Sequence, residues 1–341
     1  MKALRLVADR KVELAELPDP APPGEGQAIV RMAAVALNHI DVWGWRGMAF
    51  ARRELPITVG VEGVGTVEAL GPGADAALAG RRVAVYGGLT CGTCKPCRQG
   101  RDNLCDNVAG ILGFHVDGLA AERIAVPARN LIAIPDGLDW VDAACAPLTF
   151  ATVQHMLFDN AKLEAGESIL VHAAGSGIGS TAIKMAKRAG AMVIATAGSD
   201  AKCARALELG ADHAINYKTE RFETKARRLT GKRGVDVVFE HVGPDTWGGS
   251  LLSLARGGRL VTCGATTGLT APTNLMHLYT QQLRIFGSFG ASHRNVREAL
   301  AAMSAGVTPV IDTVATIDQL APSLDRLESR DVFGKIVLKI A

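Results

Sequence analysis

Apolar positions along the chain follow two different patterns. Up to about residue 145 the apolar segments are short and strand-like, as at residues 27–36, 63–69 and 82–86, with glycine and proline turn signals between them. The opening segment, residues 1–14, alternates apolar and polar side chains and is predicted to be one strand. This part of the chain indicates a barrel-like, mostly β domain.

From Ser168 onward, continuous apolar strands alternate with amphipathic helices. The predicted strands are residues 168–174, 192–198, 213–217, 235–243, 259–265 and 283–290. Strands that are apolar on both faces and separated by helices predict a parallel sheet covered on both sides. Six of them in this order predict an α/β fold with a doubly wound, dinucleotide-binding Rossmann domain. A last strand-like segment, residues 335–340, fits no further unit of this kind and is expected to return to the first domain.

Composition narrows the class of protein. The chain has 341 residues, 48% hydrophobic and 21% charged, which is enough for two domains with substantial cores. A net charge of +3 is too small for a nucleic-acid-binding surface, and no apolar run approaches the ~20 residues of a membrane helix. The N-terminal segment lacks the apolar core of a signal peptide. We therefore expect a cytoplasmic protein without nucleic-acid or membrane partners.

A glycine-rich turn at residues 175–179 (GSGIG) follows the first strand of the second series and opens a helix. Small residues allow backbone N–H groups to approach a pyrophosphate, and the helix N-terminus favours its negative charge. Ser180 stands where the third glycine of the usual G-x-G-x-x-G pattern would be. The position of the turn in the fold still predicts dinucleotide binding by Ser176, Gly177 and Ile178.

The end of the second strand bears on which dinucleotide is bound. NAD sites usually place an acidic residue there, about 20 residues past the glycines. Here the strand ends in residues 196–199 (TAGS), and the nearest acid, Asp200, is expected to cap the next helix. Ser199 and Lys202 can instead bind a 2′-phosphate, and Tyr217 can flank the adenine. We therefore expect NADP(H) rather than NAD(H).

Four of the seven cysteines follow the pattern Cys91-x2-Cys94-x2-Cys97-x7-Cys105. An odd total in a chain without a secretion signal argues against a disulfide framework. Thiolates at these spacings can converge on one tetrahedral zinc ion, and a shell of four sulfurs leaves no position for a substrate. The sequence predicts one structural zinc ion per chain, with an iron–sulfur cluster as the alternative. The other three are expected to be small buried apolar side chains: Cys145, Cys203 and Cys263.

The four-cysteine loop and the segments 173–182 (AAGSGIGSTA) and 207–217 (LELGADHAINY) together resemble the medium-chain dehydrogenase/reductase superfamily, with its zinc alcohol dehydrogenase and quinone or enoyl reductase branches. The resemblance covers essentially the whole chain. It implies a GroES-like catalytic domain formed by residues 1–151 and 293–341, with the Rossmann domain, residues 152–292, inserted between them. It also implies a homodimer or homotetramer, commonly built through the last strands of the cofactor sheet.

Departures from the zinc-dependent members change the expected chemistry. Where those members carry the three ligands of a catalytic zinc ion, this sequence has Asn38, Val61 and residues 148–150 (LTF). Ile40 and Trp43 stand near the positions of their alcohol proton relay. An isolated carbonyl needs a Lewis acid to hold the developing alkoxide. A conjugated acceptor instead delocalises charge to a distant enolate oxygen, which hydrogen-bond donors stabilise without a metal.

The resemblance therefore implies an NADPH-dependent reductase of activated C=C bonds, in α,β-unsaturated carbonyl compounds or acyl-CoA thioesters, or of quinones. Asn38 resembles the asparagine in the N-x-x-D pattern of metal-free members and is expected to donate to the nicotinamide ribose or a substrate oxygen. Thr152 matches a threonine near the nicotinamide. His39 is expected to be a packed side chain or a proton donor, and Asp41 an orienting carboxylate.

Further contacts are expected where the parallel strands end, because ligands bind at that edge of the fold. The cofactor contacts expected there are Val242, Gly243, Gly264, Ala265, Ser288 and Phe289. The resemblance adds a phosphate-contacting arginine, Arg330. Arg46, Arg52 and Arg53 either meet a CoA phosphate or belong to a solvated loop.

Two other functions share these motifs. One is an alcohol dehydrogenase whose displaced catalytic zinc uses His39, Asp41 or Glu62. The other is an NADPH-binding protein without turnover, of a lens-crystallin or regulatory kind. The remaining histidines lack metal-ligand spacing and are expected to be structural or on the surface: His115, His155, His172, His213, His241, His277 and His293.

Overall fold

The computed structural model describes residues 1–48 and 53–340, which form two compact units. One unit comprises Met1–Ala151 and Ala291–Ala341, and the other comprises Thr152–Gly290. Within the described part of the chain, no helix is long and apolar enough to cross a membrane.

The strands are β1 (Lys2–Ala8), β2 (Lys11–Glu16), β3 (Gln27–Ala36), β4 (Ile57–Thr58), β5 (Gly63–Leu70), β6 (Arg82–Val85), β7 (Gly88–Leu89), β8 (Gly110–Ile111), β9 (Arg123–Pro127), β10 (Leu131–Ala133), β11 (Ser168–Val171), β12 (Met192–Ala197), β13 (His213–Asn216), β14 (Val235–Glu240), β15 (Leu254–Thr262), β16 (Arg284–Gly287), β17 (Ile311–Thr316) and β18 (Lys335–Lys339). The α-helices are α1 (His39–Trp45), α2 (Lys95–Arg98), α3 (Trp140–Ala143), α4 (Ala151–Gln154), α5 (Gly177–Arg188), α6 (Asp200–Glu208), α7 (Phe222–Leu229), α8 (Pro244–Ser253), α9 (Leu275–Thr280), α10 (His293–Ser304) and α11 (Leu320–Glu328).

The first unit is built on a seven-stranded sheet. Its strand order is β10-β6-β5-β3-β18-β17, and β9 also pairs with β3. The segment at residues 335–340 does return to this unit, because β18 pairs antiparallel with β3. Buried side chains from these strands, among them Val30, Val67 and Ile336, share one apolar core.

The prediction of a single strand over residues 1–14 is wrong. The segment forms two strands rather than one, because β1 and β2 pair antiparallel through a tight turn at residues 9–10. Arg10 adopts a left-handed backbone conformation in that turn, with φ of 62°. Alternating polarity continues through both strands of a hairpin, so the pattern alone did not show the reversal.

The second unit contains the predicted six-stranded parallel sheet, in the order β13-β12-β11-β14-β15-β16. The order reverses between β11 and β14, which is the point where doubly wound sheets bind their ligands. Several predicted strands extend too far. β11 ends at Val171 and β14 at Glu240, because apolar residues continue from the strands into the turns at the carboxyl edge.

Candidate active site

A polar cluster lies inside the first unit, where segments distant in sequence meet. Asn38 immediately precedes α1, Glu62 immediately precedes β5, and Lys335 is the first residue of β18. Thr149 belongs to a single π-helical turn, Ala146–Phe150, a geometry that often occurs at functional sites. Because β3 pairs with both β5 and β18, the sheet holds three of these four side chains together.

Glu62 is the centre of the cluster and is completely buried. Its Oε1 accepts hydrogen bonds from the backbone N–H of Leu148 at 2.7 Å and of Thr149 at 2.5 Å. Its Oε2 accepts from Asn38 Nδ2 at 2.9 Å, from the Thr149 hydroxyl at 2.8 Å and from Lys335 Nζ at 3.0 Å. A buried carboxylate needs compensation of this kind, and the ammonium group supplies the matching charge.

Lys335 is a site residue that sequence reasoning missed. Its Nζ donates to Leu37 O and Asn38 Oδ1, both at 2.7 Å, and to Glu62 Oε2 at 3.0 Å. All three ammonium protons therefore have acceptors inside the protein. The available signal was a lysine at the start of the apolar strand 335–338 (KIVL), where burial of the strand predicts a buried and paired cation.

The hydrogen bonds of Asn38 oppose the role predicted for it. An ammonium group can only donate, so Oδ1 of Asn38 must be the atom that faces Lys335. The two Nδ2 protons then go to Ala36 O at 3.0 Å and to Glu62 Oε2 at 2.9 Å. In this arrangement Asn38 has no free proton for a cofactor or a substrate oxygen, because the neighbouring groups use both.

Asp41 and His39 lie on the first turn of α1 but in different surroundings. Asp41 is buried, and its Oδ2 accepts from the backbone N–H of Asn38 at 2.8 Å, which caps the helix. Burial raises the pKa of Asp41 to about 7; the hydrogen bond from Asn38 and the charge of Lys335 oppose the rise. His39 is exposed, and its ring is edge-on to that of Trp43 with 6.4 Å between the ring centroids, so the prediction of a packed side chain is not confirmed.

The four clustered cysteines fit a zinc ion. Their sulfur atoms all lie within 4.8 Å of one another, and the Cys91–Cys105 and Cys94–Cys105 sulfur distances are 3.6 and 3.9 Å. Tetrahedral zinc with bonds of about 2.3 Å requires sulfur atoms about 3.8 Å apart. Backbone N–H groups, such as that of Asn107 at 3.3 Å from Cys105 Sγ, point at the sulfurs and suit thiolates. Among the described residues, this is the one group of His, Cys, Asp and Glu side chains gathered closely enough for a metal.

The other cysteines were predicted less well. Cys145 is buried as expected, but Cys203 and Cys263 are only partly buried. Cys203 lies on α6, a helix whose side chains are mostly exposed, so its surroundings do not form a core.

In the second unit, the turn between β11 and α5 is tightly built. The Ser176 hydroxyl accepts from the backbone N–H of Gly179 at 2.9 Å and caps α5. A Cβ on Gly179 would lie 2.3 Å from Ala173 O, so only glycine fits there. Ser180, at the third glycine position, is buried and donates to Ser176 O at 2.9 Å. The turn fits a dinucleotide pyrophosphate, because close packing of small residues leaves the helix N-terminus open to an anion.

As expected, β12 ends without an acidic side chain. The residue that caps the following helix, α6, differs from the prediction. Ser199, not Asp200, caps α6, and its hydroxyl accepts from the backbone N–H of Lys202 at 3.3 Å. The Asp200 carboxylate accepts from Asn216 Nδ2 at 2.7 Å. Serine and aspartate are both good capping residues, so the choice between neighbours could not be made from sequence.

Two side chains flank Gly198 at the same strand end. A Cβ added to Gly198 would lie 2.6 Å from the Tyr217 hydroxyl and 3.6 Å from Lys218 Cε. Tyr217 follows β13 and is exposed, in keeping with a position beside a ligand. No role for Lys218 was predicted from the sequence. It could have been found as a second cation, besides Lys202, near the expected position of the 2′-phosphate.

A buried polar network fixes the loop after β14. Glu240 Oε1 accepts from the backbone N–H of Val242 at 2.7 Å and of Gly243 at 3.2 Å, while Oε2 accepts from the Ser250 hydroxyl at 2.7 Å. His172 Nε2 lies 2.9 Å from the same hydroxyl, and burial lowers the pKa of His172 to about 4. A neutral His172 and an ionised Glu240 thus hold one of the predicted cofactor-facing loops.

The remaining predicted residues lie at separate places. Gly264 and Ala265 follow β15, Ser288 and Phe289 follow β16, and Thr152 is buried in α4. Ser288 Oγ accepts from Asn160 Nδ2 at 3.0 Å, whereas Phe289 is exposed.

The arginines are divided between surface and interior. Arg330 is exposed just after α11, and Arg46 pairs with Glu328 at 3.4 Å. The side chain of Arg53 is nearly buried and lies 3.6 Å from Asp9. The prediction that Arg53 belongs to a solvated loop is therefore wrong. Arg52 lies outside the described residues.

A Rossmann sheet with this glycine turn, joined in one chain to a GroES-like unit, defines an oxidoreductase. Residues 24–136 match the family model for an alcohol dehydrogenase GroES-like domain, and residues 177–305 match that for a zinc-binding dehydrogenase. A relative from Burkholderia sp, 2-haloacrylate reductase, is 33% identical over 74% of this chain and 69% of its own length. The chain belongs to the medium-chain dehydrogenase/reductase superfamily.

Two other relatives cover nearly the whole chain. Acryloyl-coenzyme A reductase from Sulfurisphaera tokodaii is 27% identical over 99% of this chain and 100% of its own. The crystal structure of an NAD-dependent alcohol dehydrogenase superimposes with a TM-score of 0.94, at 39% identity over 100% of both chains. Proteins named as reductases and a protein named as an alcohol dehydrogenase are therefore both similar to this chain.

Proposed function

We propose that this protein is an NADPH-dependent reductase of activated C=C bonds, in α,β-unsaturated carbonyl compounds or acyl-CoA thioesters, or of quinones. The observation that carries the proposal is the cluster of Asn38, Glu62, Thr149 and Lys335. It contains no thiol or imidazole, and an ammonium group already pairs with its carboxylate. A Lewis acid for an isolated carbonyl has no suitable ligands there, whereas a conjugated acceptor needs none.

The names of two relatives support a conjugated acceptor, since haloacrylates and acryloyl-coenzyme A both carry a C=C bond next to a carbonyl group. The competing alcohol dehydrogenase with a displaced zinc would use His39, Asp41 or Glu62. These side chains are poorly suited to share a metal: His39 is exposed, Asp41 caps α1, and both Glu62 oxygens already have donors.

Within this proposal, NADPH supplies the hydride. Residues of the second unit bind the NADPH. The turn at 175–179 holds the pyrophosphate, Lys202 and Lys218 contact the 2′-phosphate, and Tyr217 flanks the adenine. Thr152 and the loops after β14, β15 and β16 belong to the nicotinamide end. In the first unit, His39 is the proposed proton donor, while Asn38 and Asp41 fix the start of α1 beside it.

The remaining features are assigned to structure and assembly. We propose that the four clustered cysteines hold one zinc ion that orders their loop and takes no part in the reaction. We also propose a homodimer or homotetramer built through β16, which is an edge strand of its sheet. Exposed apolar side chains around that edge support this: Leu275, Met276, Tyr279, Ile285 and Phe289.

The experiment compares methyl vinyl ketone with 2-butanone, which differ only by the C=C bond, following NADPH oxidation at 340 nm. Acryloyl-CoA, 2-chloroacrylate and a benzoquinone extend the panel. Turnover is expected with conjugated acceptors and not with 2-butanone. Comparable reduction of 2-butanone, or oxidation of simple alcohols, would support the dehydrogenase instead. Tight NADPH binding without turnover of any acceptor would support the non-catalytic alternative.

A further inference from the structure

A cleft of about 640 Å³ lies in the first unit, where the segment before β4 meets the segment after β8. It is lined by residues 53–57 and 115–117. The backbone N–H of Thr58 donates to Asp117 Oδ1 at 2.7 Å and holds the two segments together. The volume lies in the range of small-molecule sites, so the cleft can accept a group of a ligand.

Arg53 is the unusual residue of this cleft. Its side chain is only 7% exposed, yet its one charged neighbour among the described residues is Asp9, 3.6 Å away. That distance is too long for a hydrogen bond, and no residue in the described part of the chain accepts one from the guanidinium. Burial lowers the pKa of Arg53, but a guanidinium remains protonated at neutral pH. Buried donors normally have acceptors, so Arg53 brings to the cleft a positive charge whose N–H groups need a partner.

His115 supplies a second donor. Its Nδ1 accepts from the backbone N–H of Ile111 at 3.2 Å, so the ring proton is on Nε2. Burial lowers the pKa of His115, which keeps the ring neutral at pH 7. The ring is edge-on to that of Phe114, with 5.0 Å between the centroids, and this contact fixes its orientation. An uncharged N–H and a guanidinium in one cleft match an oxyanion better than a cation or an apolar group.

Two carboxylates also line the cleft and oppose an anion. Asp117 is compensated within the protein, because its Oδ1 lies 2.5 Å from Arg5 Nη1. Glu54 is exposed, so water and salt screen its charge. The side chain of Asp9, beside Arg53, is 64% exposed as well. The uncompensated buried charge of the cleft is therefore that of Arg53.

We propose that this cleft binds an oxyanion, a carboxylate or a phosphate group, carried by the acceptor, with Arg53 and His115 as its donors. The inference rests on the proposed function for the identity of this ligand as the acceptor. A Cβ on Gly44 would lie 3.1 Å from Arg53 Nη1, so the guanidinium lies against α1. Gly44 is about one and a half turns along α1 from His39, the proposed proton donor. The oxyanion is thus held away from the reacting bond and contributes binding rather than chemistry.

The test measures the binding of two matched ligand pairs by calorimetry, in the full zinc-loaded chain with excess NADP⁺. Levulinate is compared with methyl levulinate, which lacks the charge, and propionyl-CoA with propionyl-pantetheine, which lacks the phosphates. None of the four has an activated C=C bond, so binding is measured without turnover. We expect the charged member of one pair to bind about tenfold more tightly than its neutral partner. The pair that responds identifies the group as a carboxylate or a phosphate.

Variants then assign the preference to the two donors. Arg53→Met should abolish it, Arg53→Lys should retain part of it, and His115→Asn, which keeps an acceptor for the Ile111 N–H, should reduce it. Binding of the neutral members should not change. Arg31→Met, at an exposed arginine of β3, is the control and should bind like the parent. Arg53→Met is expected to fold, because its guanidinium leaves no hydrogen-bonded partner behind; if it does not fold, the other two variants decide the test.

Each result counts for or against the site. Equal binding of charged and neutral members by the parent, or no measurable binding of either charged member, would overturn the proposal. An unchanged preference in Arg53→Met, or in both other variants, would overturn it too. Anion binding that depends on Arg53, in a protein that reduces none of the conjugated acceptors, would retain the site and refute the reductase. Reduction of methyl vinyl ketone without any preference for an anion would do the reverse.

Discussion

The Lys335 ammonium and the Glu62 carboxylate form a buried ion pair at 3.0 Å, between residues 273 positions apart in the sequence. Both side chains are at most 3% exposed, so removing either partner leaves an uncompensated charge inside the protein.

The first prediction concerns stability of this pair. Lys335→Met and Glu62→Gln are each expected to lower the free energy of unfolding by about 3–5 kcal/mol. The double variant is expected to lose less than the sum of the two, because no lone charge remains. Urea unfolding measures the free energy of unfolding of the two single variants and the double variant. The control is Lys339→Met at an exposed position, which is expected to lie within about 0.5 kcal/mol of the parent. Strictly additive losses would contradict the coupling.

A second prediction concerns Asp41 and pH. Its folded-state pKa is raised to about 7 from 3.8, so the folded protein keeps a proton that the unfolded chain releases. The associated stability is present below pH 4 and is lost as pH rises towards 7. Relative to Asp41→Asn, the parent should therefore lose about 1.4 kcal/mol per pH unit between pH 5 and 7, and level off above. A difference independent of pH in urea unfolding would refute this.

A third prediction concerns Gly179. Alanine there would place its Cβ 2.3 Å from Ala173 O, so the turn must shift and NADPH affinity is expected to fall sharply. Gly248→Ala on α8 is the control, because nothing lies within 4 Å of its added Cβ. It should bind NADPH normally and gain up to about 1 kcal/mol of stability, since alanine favours helices. Unchanged NADPH affinity in Gly179→Ala, measured by calorimetry, is the contrary result.

A fourth prediction concerns cofactor choice. Lys202→Ala and Lys218→Ala should each weaken NADPH binding about tenfold and leave NADH binding unchanged, because each removes a proposed charged contact to the 2′-phosphate. Lys225→Ala, whose side chain pairs with Glu220 at 2.9 Å, is the control. The prediction is tested by measuring the Kd of NADPH and of NADH for each variant by calorimetry. Equal affinity of the parent protein for NADPH and NADH would refute the preference.

A fifth prediction concerns the cysteine loop. Cys94→Ser removes one of the four proposed zinc ligands and should lower both zinc content and Tm, because metal binding is expected to order the loop. Cys203→Ser lies outside the cluster and should retain both. Soluble Cys94→Ser protein should still bind NADPH. A variant with parental Tm that had lost only turnover would argue for a catalytic role of this zinc.

Much of the fold could be predicted from sequence because it follows from hydrophobic pattern. The six parallel strands and the glycine turn are contiguous in sequence, and each has a local signature. The cysteine cluster is also local, since its four thiols lie on one loop. These features depend on spacing along the chain, which a sequence displays directly.

The polar cluster could not be predicted in the same way. Asn38 was found through a family position, but the partners that use up its amide protons come from β18 and from the residue before β5. Lys335 begins the strand-like segment 335–340, and nothing in that apolar pattern indicated a role for its side chain. Its importance depends on strand pairing between β3 and β18, which brings distant residues into contact. Side-chain hydrogen bonds across such pairings have no local signal.

The pairing of β18 with β3 also has a consequence for synthesis. The ribosome synthesises Glu62 long before Lys335. The nascent first unit therefore contains the Glu62 carboxylate before the ammonium group that pairs with it has been made. Burying Glu62 alone would be costly, and this should delay closure of the unit until the final strand emerges. We therefore expect a chain cut short before residue 335 to carry an uncompensated carboxylate in its core and to be cleaved by proteases faster than the full chain.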